Sequence, residues 1–287
     1  MVTVGSILSG TFRFVRGNIG PILVWAGIVV LISLSSRLVM APFYQERLAD
    51  MQSGTPPSPH LGTVFLPALF WIAVLTILWA AAFRAVFFPE QRRFAYLRVG
   101  MDELRLLGTS LVLFVGGYIV ALIIGGIAIG IGYAAGGGMI AVVLGLILFC
   151  ALVWVATRVS PAGAMTILER KVVIGPAWRL TRGAFWRLFG AYVVLTIAFI
   201  FVYGLVFSMQ MGSILMDMAH PLDPEAAARV AQWQADQAHF SVRMVVVALV
   251  TGLLGGFAFA FQAGMIAVAT DQLLGRRDGQ ALGEVFE

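Results

Sequence analysis

The sequence has few charged residues and a single cysteine. Of its 287 residues, 11% are charged and 60% are hydrophobic, and the mean hydropathy is +0.95. Soluble domains carry roughly 25% charged residues, so this composition excludes an ordinary soluble fold and indicates an integral membrane protein. Cys150 cannot form an internal disulfide, and because it lies in an apolar run we interpret it as a small buried hydrophobic residue.

Groups that perform chemistry are also scarce. The only histidines are His60, His220 and His239, and no phosphate-binding GxxxxGK[ST] motif is present. Asp217, His220 and Asp223 have side chains that bind metals, but the prolines of their loop make a poor preorganised site. We therefore predict no catalytic residues, no metal and no cofactor, and we interpret the protein as non-enzymatic.

Long uncharged runs predict the membrane spans, because hydrocarbon about 30 Å thick is crossed by about 20 helical residues. The third run is too long for one helix, and its glycine-rich part at residues 132–138 is the predicted turn between two. The chain is therefore predicted to be an all-α membrane protein with six transmembrane helices. The uncharged runs are residues 17–36, 61–83, 106–156, 188–216 and 244–270.

The basic residues predict the orientation. With the N-terminus inside, 15 of the 19 lysines and arginines fall on the inner side, and only Arg37, Arg47, Arg229 and Arg243 fall outside. Short cytoplasmic loops are enriched in Lys and Arg, so both termini are predicted to be cytoplasmic, in a bacterial inner membrane. The formal net charge of +5 does not indicate nucleic-acid binding, because the basic residues form short clusters between apolar spans.

The two longer outer loops differ in composition. Residues 41–60 contain PPSPH, which does not continue a helix and predicts an extended surface strap. In the second loop the alanine-rich run after Pro224 predicts a helix of about four turns. Ala226, Val230 and Trp233 give that helix one mildly apolar side.

A short basic and aromatic pattern recurs along the chain. FRFVRG at residues 12–17 aligns with WRLTRG at residues 178–183, and half of that offset leads from Gly17 to Gly100. The spacing predicts one membrane domain, residues 1–287, made of three units at 1–88, 89–160 and 161–275. Each unit would contain a short surface helix, a span, an outer loop and a returning span. Arg84, Arg158 and Asp271 mark the inner ends of the returning spans, where anchoring or mutual ion pairing is expected.

The surface segments of the first and third units supply the candidate binding residues. Val4, Ile7, Leu8, Thr11 and Val15 form one side of an amphipathic first helix, which is predicted to lie in the membrane interface. Tryptophan favours the headgroup level and arginine binds phosphate bidentately, so the two segments predict a phospholipid headgroup contact. An orientation signal with no specific ligand is the alternative. The candidate residues are Arg13, Arg16, Trp178, Arg179, Arg182, Trp186 and Arg187, with Arg179, Arg182 and Trp186 on one face.

Glycine pairs four residues apart predict close helix packing within the bundle or at a dimer face. They are Gly126 with Gly130, Gly132 with Gly136, and Gly252 with Gly256.

Three stretches carry a family resemblance: VGSILSGTFRFVRGNIGPILV, RVSPAGAMTILERK and AWRLTRGAFWRLFGAYVVL. Together they resemble the membrane domain attached to some bacterial glycerophosphoryl diester phosphodiesterases. In that family the catalysis belongs to a separate soluble barrel, whose His-Arg pair has no counterpart here. The resemblance implies a lipid-related setting without the enzyme activity.

These observations favour a non-enzymatic inner-membrane protein that contacts anionic phospholipid in a membrane-lipid or envelope process. Two alternatives remain: a permease or exporter of an apolar or lipid-like substrate, and an assembly subunit with a homo-oligomeric or membrane-protein partner. Ion-coupled transport is disfavoured because the uncharged runs contain no ionisable acid or base.

Overall fold

The computed structural model describes residues 2–53, 61–134, 138–220, 223–238 and 241–275, which are all-α, without a strand. Strong helix formers and apolar runs of membrane length account for the long elements. A 3₁₀ turn, Arg93–Tyr96, precedes α4. The helices are α1 (Val4–Gly17), α2 (Ile19–Ser53), α3 (Leu61–Phe87), α4 (Met101–Ala134), α5 (Gly138–Val159), α6 (Pro161–Glu169), α7 (Ile174–Leu180), α8 (Phe185–Met218), α9 (Pro224–Ala238) and α10 (Val242–Leu273).

Six of these helices are long and apolar enough to cross a membrane, which confirms the predicted fold class. They are α2, α3, α4, α5, α8 and α10. The longest uncharged run is divided where its glycines cluster, because α4 ends at Ala134 and α5 begins at Gly138. Residues 135–137 lie outside the described residues. The division into three repeated units stays a prediction.

The two loops predicted to lie outside give one confirmation and one correction. The predicted helix after Pro224 is α9, and Asp223 Oδ1 accepts a hydrogen bond from Glu225 N at its start. Ala226 is buried on it, as expected for its apolar side. The extended strap predicted for residues 41–60 is wrong for residues 41–53, because α2 continues to Ser53. Glu, Arg, Leu and Ala after Pro42 are strong helix formers. The PPSPH sequence lies outside the described residues.

The chain divides into two compact units, the first of which comprises residues 1–17, 76–193 and 262–287. In this unit α1 packs along the last turns of α10. A methyl group on Gly10 would lie 2.7 Å from Val268 Cγ1, so the two helices are in close contact. Ser6 Oγ donates to Gln272 Oε1, and Gln272 Nε2 donates to the Ser6 carbonyl, both at 3.0 Å.

The core of the first unit continues around α6, which is buried along most of its length. Phe83, Leu106 and Ile167 form one cluster with small side chains between them. Across the same region the hydroxyls of Thr109 and Thr166 lie 3.2 Å apart and hydrogen-bond. A buried polar pair of this kind is satisfied internally, as an apolar environment requires.

The second unit comprises residues 18–75 and 194–261. Here Gly252 and Gly256 of α10 face α2: a methyl group on Gly252 would lie 2.6 Å from Val30 Cγ2, and one on Gly256 would overlap Ala26. The packing predicted for this glycine pair is therefore confirmed.

Other small or apolar positions are exposed. Added methyl groups on Gly126 and Gly130 would meet nothing within 4 Å of the described residues, so the predicted packing of this pair within the bundle is wrong there, and the alternative of a dimer face stays a prediction. Gly136, of the remaining pair, lies outside the described residues. Cys150 is exposed on α5, which corrects the expectation of burial. Phe114 and Leu146 are likewise exposed, as suits helices surrounded by lipid.

Candidate functional site

The first candidate segment is α1, which begins with a capping box. Thr3 N donates to Ser6 Oγ and Ser6 N donates to Thr3 Oγ1, at 2.9 and 3.0 Å. These reciprocal bonds satisfy donors at the start of the helix. Ser6 therefore both caps the start of α1 and bonds Gln272 of α10.

The apolar side of α1 packs on protein. Ile7, Thr11 and Val15 are buried as predicted, and Phe14 joins them; a methyl group on Gly264 would lie 2.5 Å from Phe14 Cδ1. Val4 and Leu8, also predicted on this side, are half-buried. The amphipathic pattern of α1 is therefore used for packing against α10. Arg13 and Arg16 are exposed away from that contact.

The third-unit segment is not one continuous helix. α7 ends at Leu180, residues 181–184 form a turn, and α8 begins at Phe185. Gly183 adopts φ +85°, a left-handed conformation that favours glycine. The prediction that Arg179, Arg182 and Trp186 share one helical face is therefore wrong, because the turn separates them.

Trp178 packs against other residues of the protein. It is half-buried, and its ring meets that of Trp154 edge to face, with centroids 5.2 Å apart and an interplanar angle of 87°. The guanidinium carbon of Arg158 lies 5.4 Å from the centroid of each ring. Thr181 Oγ1 donates to the Arg158 carbonyl at 3.0 Å. These contacts attach α7 and its following turn to the end of α5.

The other candidate residues of this segment are exposed. Trp186 is 74% exposed although it stands in the first turn of an apolar span, and it packs edge to face on Phe185. Arg179, Arg182 and Arg187 are exposed as well. The ion pairs among the described residues include none of these three arginines.

The structure places the candidate residues in two groups. A methyl group on Gly190 would lie 3.1 Å from Val4 Cγ2, so the start of α1 lies against the beginning of α8. Arg13 and Arg16 stand farther along α1, about 14 to 18 Å from Val4 by the helix rise of 1.5 Å per residue. They form one group. The second consists of Arg179, Arg182, Trp186 and Arg187, which are exposed along consecutive parts of the chain from α7 to α8, whereas Trp178 belongs to neither group because it is half-buried against Trp154.

A buried ionic cluster was missed by the sequence reasoning. Arg84 of α3 pairs with Glu103 Oε1 of α4, lies 3.9 Å from Asp102 Oδ2, and donates to the Tyr96 carbonyl at 3.3 Å. Asp102 also pairs with Arg105 at 3.0 Å. A lone arginine in an apolar helix, followed by acids at the start of the next, is the signal that would have predicted it.

The segment before α4 is held in a less common conformation. Phe94, Ala95 and Tyr96 have φ between 50° and 64°, in the left-handed region. Tyr96 is 2% exposed, and its hydroxyl donates to the Pro89 carbonyl at 3.2 Å. Non-glycine residues occupy this region at a cost, which surrounding contacts must offset. The bond from Arg84 to the Tyr96 carbonyl is one such contact.

Arg158 differs from Arg84 in its partners. Both were expected to be anchors or members of mutual ion pairs, together with Asp271. Arg158 is half-buried and donates from one terminal nitrogen to the Trp178 carbonyl over a long 3.5 Å. Its Nε is buried and has no hydrogen-bond partner. Its principal neighbours are therefore the rings of two tryptophans.

The acids and histidine of the second outer loop serve local structure. Arg229 donates three hydrogen bonds to the Asp217 carboxylate, the shortest of them 2.8 Å. These bonds hold the pKa of Asp217 below its ordinary value. His220 Nδ1 lies 2.9 Å from the Met216 carbonyl, and Asp223 caps α9. In the described residues no group of three such side chains is arranged to hold a metal.

A narrow crevice lies inside the first unit. It is lined by apolar residues of α1, α8 and α10, including Ile7, Leu188 and Met265, together with Ser160 and Tyr192. It is too narrow to hold even a water molecule, whereas small-molecule pockets have volumes of roughly 300 Å³ or more. The crevice gives no support to a substrate site.

No protein-family model, no curated protein and no solved structure matches this chain. The resemblance to the membrane domain of glycerophosphoryl diester phosphodiesterases therefore stays a prediction. The protein is an all-α, multi-spanning membrane protein with six helices long and apolar enough to cross a bilayer.

Proposed function

We propose that this protein binds anionic phospholipid headgroups at the cytoplasmic face of the bacterial inner membrane, without enzymatic activity, in a membrane-lipid or envelope process. The observation that carries the proposal is the group formed by Arg179, Arg182, Trp186 and Arg187. All four side chains are exposed at the entrance to the span of α8. We call this group the α7–α8 collar.

The charges of the collar support a ligand that is anionic. Arg179, Arg182 and Arg187 form no ion pair within the described residues. Asp and Glu are absent from residues 170–216, so this part of the chain supplies no acid of its own. Arginine binds phosphate through paired, charge-assisted hydrogen bonds. The positive charge of the collar is therefore complementary to a membrane surface that carries anionic phosphates.

The position of Trp186 supports a ligand at the membrane surface. Its large exposed ring would be unfavourable in water but suits the headgroup region, where tryptophan is enriched. Each basic residue near an anionic surface contributes about 1 kcal/mol. The collar combines both contributions in one short segment.

The test replaces Arg179, Arg182 and Arg187 by Gln and measures the phosphatidylglycerol that remains bound after purification in mild detergent, by native mass spectrometry. We expect a marked loss of bound lipid with the thermal unfolding midpoint nearly unchanged, because these side chains are exposed. Retention equal to that of the wild type would overturn the proposal.

A matched control separates the collar from general surface charge. Arg92, Arg93 and Arg170 are also exposed, and replacing them by Gln removes the same number of charges without touching the collar. We expect this variant to retain phosphatidylglycerol much better than the collar variant. Equal losses would show that net charge alone holds the lipid.

A further inference from the structure

We propose that Arg158 is the inner phosphate-binding residue of the α7–α8 collar, beside the paired rings of Trp154 and Trp178. The inference rests on the proposed lipid function and names the group that receives the headgroup phosphate. Arg158 stands at the end of the apolar helix α5, where the sequence predicted anchoring or mutual ion pairing.

The first step compares Arg158 with Arg84. Each arginine follows an alanine by two positions at the inner end of a returning span, in AFR at residues 82–84 and ATR at residues 156–158. Each contacts the segment that follows it: Arg84 donates to the Tyr96 carbonyl, and Arg158 donates to the Trp178 carbonyl. The two guanidinium groups therefore make the same kind of contact, with a backbone carbonyl of the segment that follows.

The second step is the difference in charge around them. Arg84 is neutralised by Glu103, with Asp102 beside it. Arg158 has no carboxylate partner among the described residues. Glu169, the nearest acid that follows it in the sequence, pairs with Lys171 at 3.1 Å. A cation at the edge of an apolar span needs a counter-charge, and the described residues do not provide one.

The third step concerns hydrogen bonds. A guanidinium carries five N–H donors, whereas Arg158 has a single hydrogen bond from its side chain, at the long distance of 3.5 Å. Its Nε is buried without a partner. The tryptophan rings stabilise the cation through their faces but accept no conventional hydrogen bond. The Nε–H is enclosed by the protein, so the donors left for the oxygens of a bound phosphate are those of the terminal nitrogens of this half-buried side chain.

The surroundings select the kind of ligand. Trp154 and Trp178 together form an apolar wall along one side of the guanidinium. Arg179 and Arg182 follow directly on α7 and its turn. A phosphodiester next to glycerol and acyl chains suits a basic group with an apolar wall. Free phosphate offers the same anionic oxygens, and the experiment must distinguish the two sources.

The experiment uses the full chain in zwitterionic detergent with Arg158→Gln, Arg158→Lys and Arg84→Gln variants. Bound phosphatidylglycerol is measured by native mass spectrometry, and the unfolding midpoint is followed with added phosphatidylglycerol, phosphatidylcholine or inorganic phosphate. We expect Arg158→Gln to weaken phosphatidylglycerol binding about tenfold or more, the range for a lost charge-assisted hydrogen bond. Arg158→Lys should retain part of the binding, because it keeps the charge and loses the planar fork.

Arg84→Gln is the matched control, because the same substitution there removes an arginine that is already paired with the carboxylate of Glu103. It should lower the unfolding midpoint without changing the preference for phosphatidylglycerol over phosphatidylcholine. Unchanged phosphatidylglycerol binding by Arg158→Gln would overturn the inference. If Arg158→Gln does not fold, unchanged affinity in Arg158→Lys would overturn it instead.

The remaining outcomes separate the inference from the proposed function. Suppose that the collar variant loses lipid and Arg158→Gln binds it normally. That result would support the proposed function of the collar and would show that Arg158 is not part of the binding site. Normal binding in both variants would overturn both proposals. Inorganic phosphate could also stabilise the protein as much as phosphatidylglycerol does, through Arg158. That result would contradict the proposal that the phosphate bound by Arg158 belongs to a lipid.

Discussion

Arg84 and Glu103 form a buried ion pair that joins the last turn of α3 to the first turn of α4. Their side chains are 5% and 7% exposed. Because the same guanidinium also binds the Tyr96 carbonyl, one side chain holds both ends of the connection between the two spans. Removing either partner leaves an uncompensated buried charge.

We predict that Arg84→Gln lowers the free energy of unfolding by about 3 to 5 kcal/mol, the usual cost of breaking a buried ion pair from one side. The double variant with Glu103→Gln should lose less than the sum of the two single variants, because it leaves no unpaired charge from this pair. Equilibrium unfolding in detergent measures the difference.

Arg93→Gln is the control for that series. Arg93 is exposed in the same connection, so its replacement should change the free energy of unfolding by no more than about 0.5 kcal/mol. A loss at Arg93 as large as that at Arg84 would contradict a specific role for the ion pair.

We predict that Gly256→Ala destabilises the protein by about 1 to 3 kcal/mol, the range for overpacking. The added methyl group would overlap the backbone of Ala26, which cannot move aside as a flexible side chain would. Gly126→Ala is the matched control, since its methyl group would meet nothing within 4 Å. It should be neutral or stabilising, because alanine favours helix over glycine. The unfolding midpoints of the two variants check the contrast.

We predict that the ion pair between Asp217 and Arg229 makes the stability of the protein depend on pH in the acidic range. Hydrogen bonds from Arg229 lower the pKa of Asp217 from its ordinary 3.8, so the unfolded chain binds the proton more readily. The stabilisation is therefore complete above that ordinary pKa and is lost as the pH falls through the lower folded value. The unfolding midpoint of the wild type should exceed that of Asp217→Asn near neutral pH, and the gap should close in acid.

Arg229→Gln provides the complementary measurement for this pair. It should remove the same acid-dependent difference, because the lowered pKa has its main cause in that side chain. A gap between wild type and Asp217→Asn that stays constant with pH would contradict the explanation.

The six spans were predictable because bilayer thickness sets helix length, a property of local sequence. The helix after Pro224 was predictable for a similar reason, from proline and alanine at its start. Contacts between distant segments were not. Tryptophan is typical of an interface anchor, but Trp178 is half-buried and contacts Arg158, 20 residues away. Likewise Gly126 and Gly252 have the same spacing to a second glycine, but only Gly252 faces another helix closely.

The hydrogen bonds between Ser6 and Gln272 join residues 266 positions apart, which has a consequence for biogenesis. The first helix leaves the ribosome long before the last span that covers its apolar side. At about 5 to 20 residues per second the delay is on the order of 10 s or more. During synthesis that amphipathic helix can bury its apolar side in the membrane interface. The contact with α10 can then form only after α10 has been inserted, so docking of α1 is a late step in the assembly of this fold.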